Sequence, residues 1–560
     1  MKKLITTIFL VLLVLASCSM KQKADFIGFN AKIYTVDSTF SIAEAFAVKD
    51  GKFVAVGSNS YILANYKVDK DKQDTNYKDF SSKFIYPGFN DSHCHLFSLG
   101  QALTNVDLRG ASSFDQIIDR LKEAYVKNPN QSFLIGEGWD QNLWEKKEFP
   151  NNKLLNEAFP NIPVILTRID YHAVVVNQKA IDCLKLTPDL FTNAQNAKQL
   201  EHMGAAKEHA IIKNGEFTGV FMENMCVAFA DSIIKYSTAQ KRELFLLAQK
   251  ECIKYGLSSI SDAEESLENI LIIDSLVNEE KLILNLDVWL SASKENMEHF
   301  TKPYYNKNLR VETLKLYKDG ALGSRGASLL EAYSDSPNNY GIEVTSTIEF
   351  DEYCAWAYNH NFRVACHCIG DSANRSALNS YAKFLKGKNN LGWRIEHAQI
   401  ISPSDIDKFS KYSIIPSIQP THCTSDMFWA DERLGARIKD AYKYKELLDQ
   451  LNWIPCGTDF PIENVNPILT FFAAVYRQNT NFLPTKGFQM NNSLNKEQAL
   501  RSMTIWGAKA SFEQDKKGSI EIGKQADFVV LSKDIIEVAP NDLLNTKVEA
   551  TYIGGVNYLP

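Results

Sequence analysis

Several features are scarce in this chain of 560 residues, and each absence removes a class of function. A basic excess is missing: 61 Lys and Arg stand against 67 Asp and Glu, a formal net charge of −6. That balance leaves no electrostatic footprint for a nucleic acid, and none is expected as a partner. The ten cysteines form neither a dense framework nor a pair of CxxC units, so a zinc ribbon or a disulfide-stapled scaffold is not indicated, and no pairing is readable from their spacing. No repeat of 20 to 50 residues and no low-complexity tract stands out, which argues against solenoids and disordered tails. What is present is ordinary for a folded protein: 45% hydrophobic and 23% charged residues, enough for a large core.

The N-terminus reads as a targeting segment. Lys2 and Lys3 precede an apolar run at 4–15, too short and too early for a spanning helix but suited to a secretory h-region. The run ends in Leu15-Ala16-Ser17-Cys18, which resembles a bacterial lipobox; an ordinary signal peptide whose small residues place the cut is the alternative. The expectation is a signal peptide at 1–17, lipidation of Cys18, a tether at 18–24, and a protein anchored by lipid to a cell-envelope membrane, outside the cytoplasm.

Short β-rich runs alternate with helix-sized stretches from about residue 84 onward. They fall at 84–89, 256–261, 282–290, 314–317, 362–367, 393–397, 414–419 and 453–456. Eight buried-looking strands separated by amphipathic segments indicate α/β architecture, a (β/α)8 TIM barrel, with 87–106 as its start and 241–510 as the remainder. The stretch 107–240 is too long for a loop and holds strand-like runs of its own, so it is expected to be an insertion domain after the first barrel strand. Segments 25–86 and 511–560 share a β-rich texture with turn residues, and together are expected to form a small β-sandwich.

The strongest local signal is Pro87-Gly88-Phe89-Asn90-Asp91-Ser92-His93-Cys94-His95. Two histidines one residue apart in a strand point the same way, so both rings can reach one metal ion, while Cys94 points away. Alone the pair is a weak signal. Polar residues then recur at the ends of apolar runs, where burial is costly without a partner or a metal: His367 after Arg363-Val364-Ala365-Cys366, His397 after Arg394-Ile395-Glu396, and Asp459 after Cys456-Gly457-Thr458. Cys366 and Cys368 alternate to the face opposite His367, which suits packing as small apolar side chains.

In order, these motifs, with Lys315-Leu316-Tyr317-Lys318-Asp319-Gly320, His367-Cys368-Ile369-Gly370-Asp371 and Gly457-Thr458-Asp459 between and after them, resemble the amidohydrolase superfamily. Within it the chain is similar to the YtcJ-like amidohydrolase family 3 and to N-substituted formamide deformylases. The resemblance implies that His93 and His95 bind a buried divalent ion, that His367 and His397 bind a second or complete the site, and that Asp459 holds the attacking water and accepts its proton. One or two ions are implied, zinc favoured, since a divalent ion lowers the pKa of water towards ~7. Lys315 makes chemical sense as a carbamate bridging two ions, or as an amine paired with Asp319 or a substrate carboxylate. Lys318 is expected to face solvent. Thr458 stands where serine is frequent.

For the substrate, Glu223, Asp319, His422 and Trp139 are candidate contacts, and His172 and Arg168 in the insertion are candidates to polarise a carbonyl; for most of these a structural role competes. The implied reaction is metal-assisted hydrolysis of a carbon–nitrogen bond other than a peptide bond in a small amide or formamide. An ester or lactone hydrolase on the same site and a non-catalytic binding lipoprotein are the alternatives, and self-association is left open.

Overall fold

Seven strands run parallel in one sheet and follow chain order around it: β1 (Phe89–Cys94), β2 (Leu257–Glu265), β3 (Asn285–Ser291), β4 (Leu309–Tyr317), β5 (Arg363–Cys368), β6 (Arg394–His397) and β7 (Ile415–Ser417). This is a computed structural model, and it describes residues 21–69, 76–129, 131–168, 173–196, 198, 200, 206–222 and 224–559. Cys18 and the segment expected to be a signal peptide, His172 and Glu223 lie outside the described residues.

The strands carry aliphatic runs because both faces of a parallel sheet are covered. Ile260, Leu286, Val288, Leu314, Val364 and Ile395 are at most 2% exposed, and each such side chain contributes about 1.5–3 kcal/mol on burial. Helices Leu267–Asn278, Thr347–Asn359 and Asp371–Leu385 follow β2, β4 and β5. Ser266 and Ser346 start the first two by accepting from the backbone N–H of Asn269 and Glu349.

The eighth run, expected as a strand at 453–456, forms no regular strand. The chain closes the ring there by separate bonds. On one side Ile418 N–H donates to the Pro455 carbonyl at 3.2 Å and Gly457 N–H to Ile418 at 3.0 Å; on the other, Ser92 donates to Cys456 at 3.1 Å and Asp459 to His93 at 2.8 Å. A Cβ at Gly457 would lie 2.4 Å from the His93 amide nitrogen. Glycine is therefore required where this segment presses against β1, and the result is a nearly closed barrel of TIM type.

The first run, 84–89, is also divided. Phe84–Pro87 pairs antiparallel with Phe528–Leu531 in a six-stranded sheet, and β1 begins at Phe89. Gly88 makes the transition, since a Cβ there would sit 2.2 Å from Ser258 Oγ. That sheet also includes Lys32–Tyr34 and Val548–Ile553, and a four-stranded sheet of Lys52–Gly57, Ala45–Lys49, Phe26–Phe29 and Tyr77–Asp79 shares an aromatic core with it, in which Phe528 stacks on Tyr552 at 4.2 Å.

Residues 100–243 form a separate compact unit. Its six-stranded sheet runs Val106–Asp107, Leu134–Trp139, Val164–Arg168, Ala173–Val176, Glu216–Met222, Ala210–Lys213, parallel over the first three strands and antiparallel beyond. Among the described residues no helix is long and apolar enough to cross a membrane.

Candidate active site

The C-terminal ends of the strands deliver the polar side chains, as barrel geometry favours. On β1 the rings of His93 and His95 lie 5.6 Å apart. His93 Nδ1 sits 2.6 Å from Glu396 Oε2. Burial opposes charge on Glu396, but Arg394 beside it and His93 itself hold its carboxyl down at about 2, so Glu396 accepts and Nδ1–H donates. Arg394 clamps both carboxylate oxygens and also donates to the Ser92 carbonyl at 2.8 Å and to Ser417 Oγ at 2.7 Å. Burial, with Lys315 adding to it, pushes the His93 pKa down to about 4. The ring is neutral, its hydrogen is committed to Glu396, and its Nε2 lone pair faces the site, the arrangement a ligating histidine needs.

Around that lone pair stand Lys315 Nζ at 3.3 Å and Asp459 Oδ1 at 3.6 Å. His95 donates from Nδ1 to the Ala263 carbonyl at 3.1 Å and turns Nε2 towards Asp459 Oδ1 at 3.2 Å. The rings of His367 and His397 are 4.4 Å apart, and His422 stacks on His397 at 5.6 Å with Nε2 3.6 Å from Asp459 Oδ2. Burial first, then Lys315, takes His367 down to about 3; burial and His367 take His397 well below the usual histidine range. Asp459 resists burial: the close approach of His95 and the imidazoles of His93, His397 and His422 hold it well below the usual carboxylate range. Burial lowers Lys315, against the pull of Glu396 and Asp459, which favours the neutral amine.

This donor set fits a divalent cation. His93, His397 and Asp459 each offer a ligand atom within 4.8 Å of the others. His367 Nε2, His397 Nδ1, His422 Nε2 and Asp459 Oδ1 are buried without a hydrogen-bond partner. Leaving one such atom unpaired costs about 1–3 kcal/mol, and nitrogen and oxygen lone pairs gathered in one place are what zinc-like ions bind.

Residues 79–557 match the model of the amidohydrolase family. The chain belongs to that family. It is 28% identical over 541 residues to the putative amidohydrolase YtcJ of Bacillus subtilis, covering 93% of this chain and 97% of that one. It is 23% identical over 558 residues to the N-substituted formamide deformylase of Arthrobacter pascens, at 96% and 98% coverage. An uncharacterized metal-dependent hydrolase from Pyrococcus horikoshii OT3 superposes with a TM-score of 0.76 at 27% identity, over 92% of this chain and 99% of that one. The protein is a hydrolase of a metal-dependent family.

In this amidohydrolase the structure brings His93, His95, Lys315, His367, His397, His422 and Asp459 together. Asp319 borders this group, with Oδ1 3.7 Å from His367 Nε2, while both its oxygens accept backbone N–H groups, from Ser328 at 2.9 Å, Ile369 at 3.0 Å and Gly370 at 2.7 Å. It ties the loop after β4 to the loop after β5 and is not paired with Lys315. The expectation for Lys318 is corrected, because it is 1% exposed and donates to Glu343 at 2.5 Å and to the Thr345 carbonyl at 2.8 Å. In the unit 100–243, Trp139 is fully buried with Nε1 bonded to the Leu166 carbonyl at 2.7 Å, and Arg168 bonds Gln141 at 2.9 Å; for Trp139 the surroundings are those of a core residue.

Sequence reasoning passed over Glu396, Arg394 and Asp91. Asp91 accepts from His93 N–H at 3.1 Å and from the Thr458 hydroxyl at 2.7 Å, so it locks β1 to the Asp459 segment, and Thr458 keeps the hydroxyl that this needs. The available signal was charge inside an apolar strand: Arg394-Ile395-Glu396 places two opposite charges two residues apart on one buried face.

Proposed function

We propose that the protein hydrolyses a carbon–nitrogen bond other than a peptide bond in a small molecule, an amide or formamide, with Asp459 as the proton-transferring carboxylate. The observation that supports it is the convergence of His93, His397 and Asp459, with His367, His397, His422 and Asp459 each holding a buried atom that no protein donor satisfies. His93, His95, His367 and His397 would hold one or two divalent ions, zinc favoured, with Lys315 as a carbamate between two. When bound, such an ion acidifies water and polarises a carbonyl. The chain's own residues do the rest. Glu396 fixes the His93 tautomer, and the positive-φ turn at Asp459 aims its carboxylate at the same space, where the ionised group can take a proton from water and return it to the leaving nitrogen. Similarity to a formamide deformylase supports the choice of bond.

The deciding experiment is metal analysis of the purified protein combined with a screen of N-formyl, N-acyl, ester and lactone compounds. Metal-dependent release of amine supports the reading. Turnover of esters or lactones alone replaces it, and a metal-free protein that turns over nothing leaves the binding lipoprotein. Attachment to the envelope through Cys18 is part of the same proposal, supported by Lys2, Lys3 and the Leu15-Ala16-Ser17-Cys18 pattern; Cys18→Ser is expected to release the protein from the membrane fraction.

A further inference from the structure

Three residues with polar side chains hold a left-handed backbone at the mouth ends of the barrel segments, beside the apolar Ala398 (φ 41°): His397 (φ 69°), Asp459 (φ 63°) and Glu264 (φ 68°). Such a conformation is disfavoured for any residue with a Cβ and persists where its surroundings impose it, commonly at functional sites. Two of the three belong to the donor set described above. The third has had no role so far.

Glu264 lies near the end of β2, where the register to β3 shifts between Asp262 and Glu265. A bulge of this kind re-aims side chains. Here it separates two consecutive glutamates: Glu265 is 4% exposed and accepts from Asn269 Nδ2 at 2.7 Å, whereas Glu264 is exposed. The Tyr317 hydroxyl, at the end of β4, donates to Glu264. The Tyr317 ring lies 4.8 Å from Lys315 Nζ and 5.4 Å from the His367 ring, so the pair stands at the edge of the site. Among the described residues no Lys or Arg forms an ion pair with Glu264, and its one hydrogen bond is Tyr317's. The neighbouring carboxylates are otherwise engaged: Glu396 with Arg394 and His93, Asp319 with three backbone N–H groups, Asp459 facing the imidazoles.

We propose that Glu264, positioned by the bulge in β2 and by Tyr317, is a specificity-determining residue, and that the amide or formamide cleaved at this site carries an ammonium group that its carboxylate receives. The inference rests on the hydrolase reading above. A carboxylate at the edge of a low-dielectric site that no Lys or Arg pairs with among the described residues, although Lys315 acts on it electrostatically, draws in a cationic group and discriminates against a neutral one. Tyr317 spends its proton on one carboxylate lone pair and leaves the others for the ligand.

The test uses the full-length metal-loaded protein, with Glu264→Gln and Tyr317→Phe, on matched N-formyl and N-acetyl amines that differ only by an ammonium or a methyl group at the far end. The wild type is expected to favour the ammonium member by roughly tenfold or more in kcat/KM, mostly through KM. In Glu264→Gln that ratio falls towards one; in Tyr317→Phe it falls part of the way; metal content stays at the wild-type level in both. A wild type without preference, or a Glu264→Gln variant that keeps it, overturns the proposal. If no compound is turned over, the proposed reaction has failed rather than this inference. Titration calorimetry with the paired amines then decides it: weaker binding of the ammonium member alone in Glu264→Gln supports the assignment, and equal binding overturns it.

Discussion

Towards the N-terminal ends of the strands, Arg363 donates to Asp287 at 2.9 Å and to Glu312 at 2.7 Å, and Arg310 pairs with Glu312 and, at 3.2 Å, with Glu513. Trp289 adds an N–H bond to Asp287 at 3.0 Å. At the opposite ends, His367, His397, His422 and Asp459 keep buried atoms without partners. One barrel thus buries charge in two ways. At the floor each carboxylate meets a guanidinium, which offsets the cost of removing both from water. At the mouth the donors face one another, and His397 and Asp459 add a strained backbone. Arg363 Nε is also buried without a partner, so what sets the mouth apart is the gathering of open atoms from four side chains in one place, where something the chain does not supply can bind.

The largest effect expected from breaking this contrast is at Asp459. Asp459→Asn keeps the shape but loses the base, and kcat should fall by roughly 10³-fold, while the unfolding temperature of the metal-free protein does not fall. A variant retaining a tenth of the activity would remove Asp459 from the chemistry. Metal removal comes next. An ion present at a thousand times its Kd stabilises by about 4 kcal/mol, so chelation should lower the unfolding temperature and zinc should restore it, with the response lost in His397→Ala. An unfolding temperature indifferent to chelator would mean that the mouth donors hold no ion.

How far this contrast could be read beforehand depended on periodicity. β2 to β7 were legible because each holds short apolar stretches between turn residues and helix-sized segments, and the mouth residues because a histidine or aspartate at the end of such a run is conspicuous. The run at 453–456 looked like an eighth strand because its residues suit one; what disrupts it is the contact of Gly457 with His93, which lies 364 positions away in sequence and leaves no local trace. Lys318 was misread for a similar reason, since its partners Glu343 and Thr345 come from the following loop. The floor network was invisible as a network: Asp287, Glu312 and Arg363 are single charges in three separate strands, and only closure of the barrel makes them neighbours.

Glu312→Gln therefore sharpens the comparison from the other side. It removes the carboxylate that Arg363 and Arg310 share and leaves each with one remaining partner, Asp287 and Glu513; the expected cost is about 1.5–3 kcal/mol, read from denaturant unfolding, with turnover per folded molecule much less affected than in Asp459→Asn. A loss of kcat as large as that of Asp459→Asn would show that floor and mouth act as one unit.

The smallest effect is the pH dependence of that difference. Burial alone would raise the Glu312 pKa, but Arg363, the Tyr305 hydroxyl and Arg310 overcome it, and the folded value lies below the ordinary one. A depressed carboxylate contributes stability that is fully present above its unfolded pKa, about 4.3, and that is lost as pH falls from there through the lower folded value. The wild type should accordingly lose part of its advantage over Glu312→Gln between pH 6 and pH 3.5 (roughly the range that brackets the unfolded glutamate value), measured by urea unfolding at several pH values. If the gap between the two proteins stays constant across that range, the stabilisation at the floor comes from packing around the side chain rather than from its charge, and the distinction between paired floor and open mouth loses its electrostatic basis.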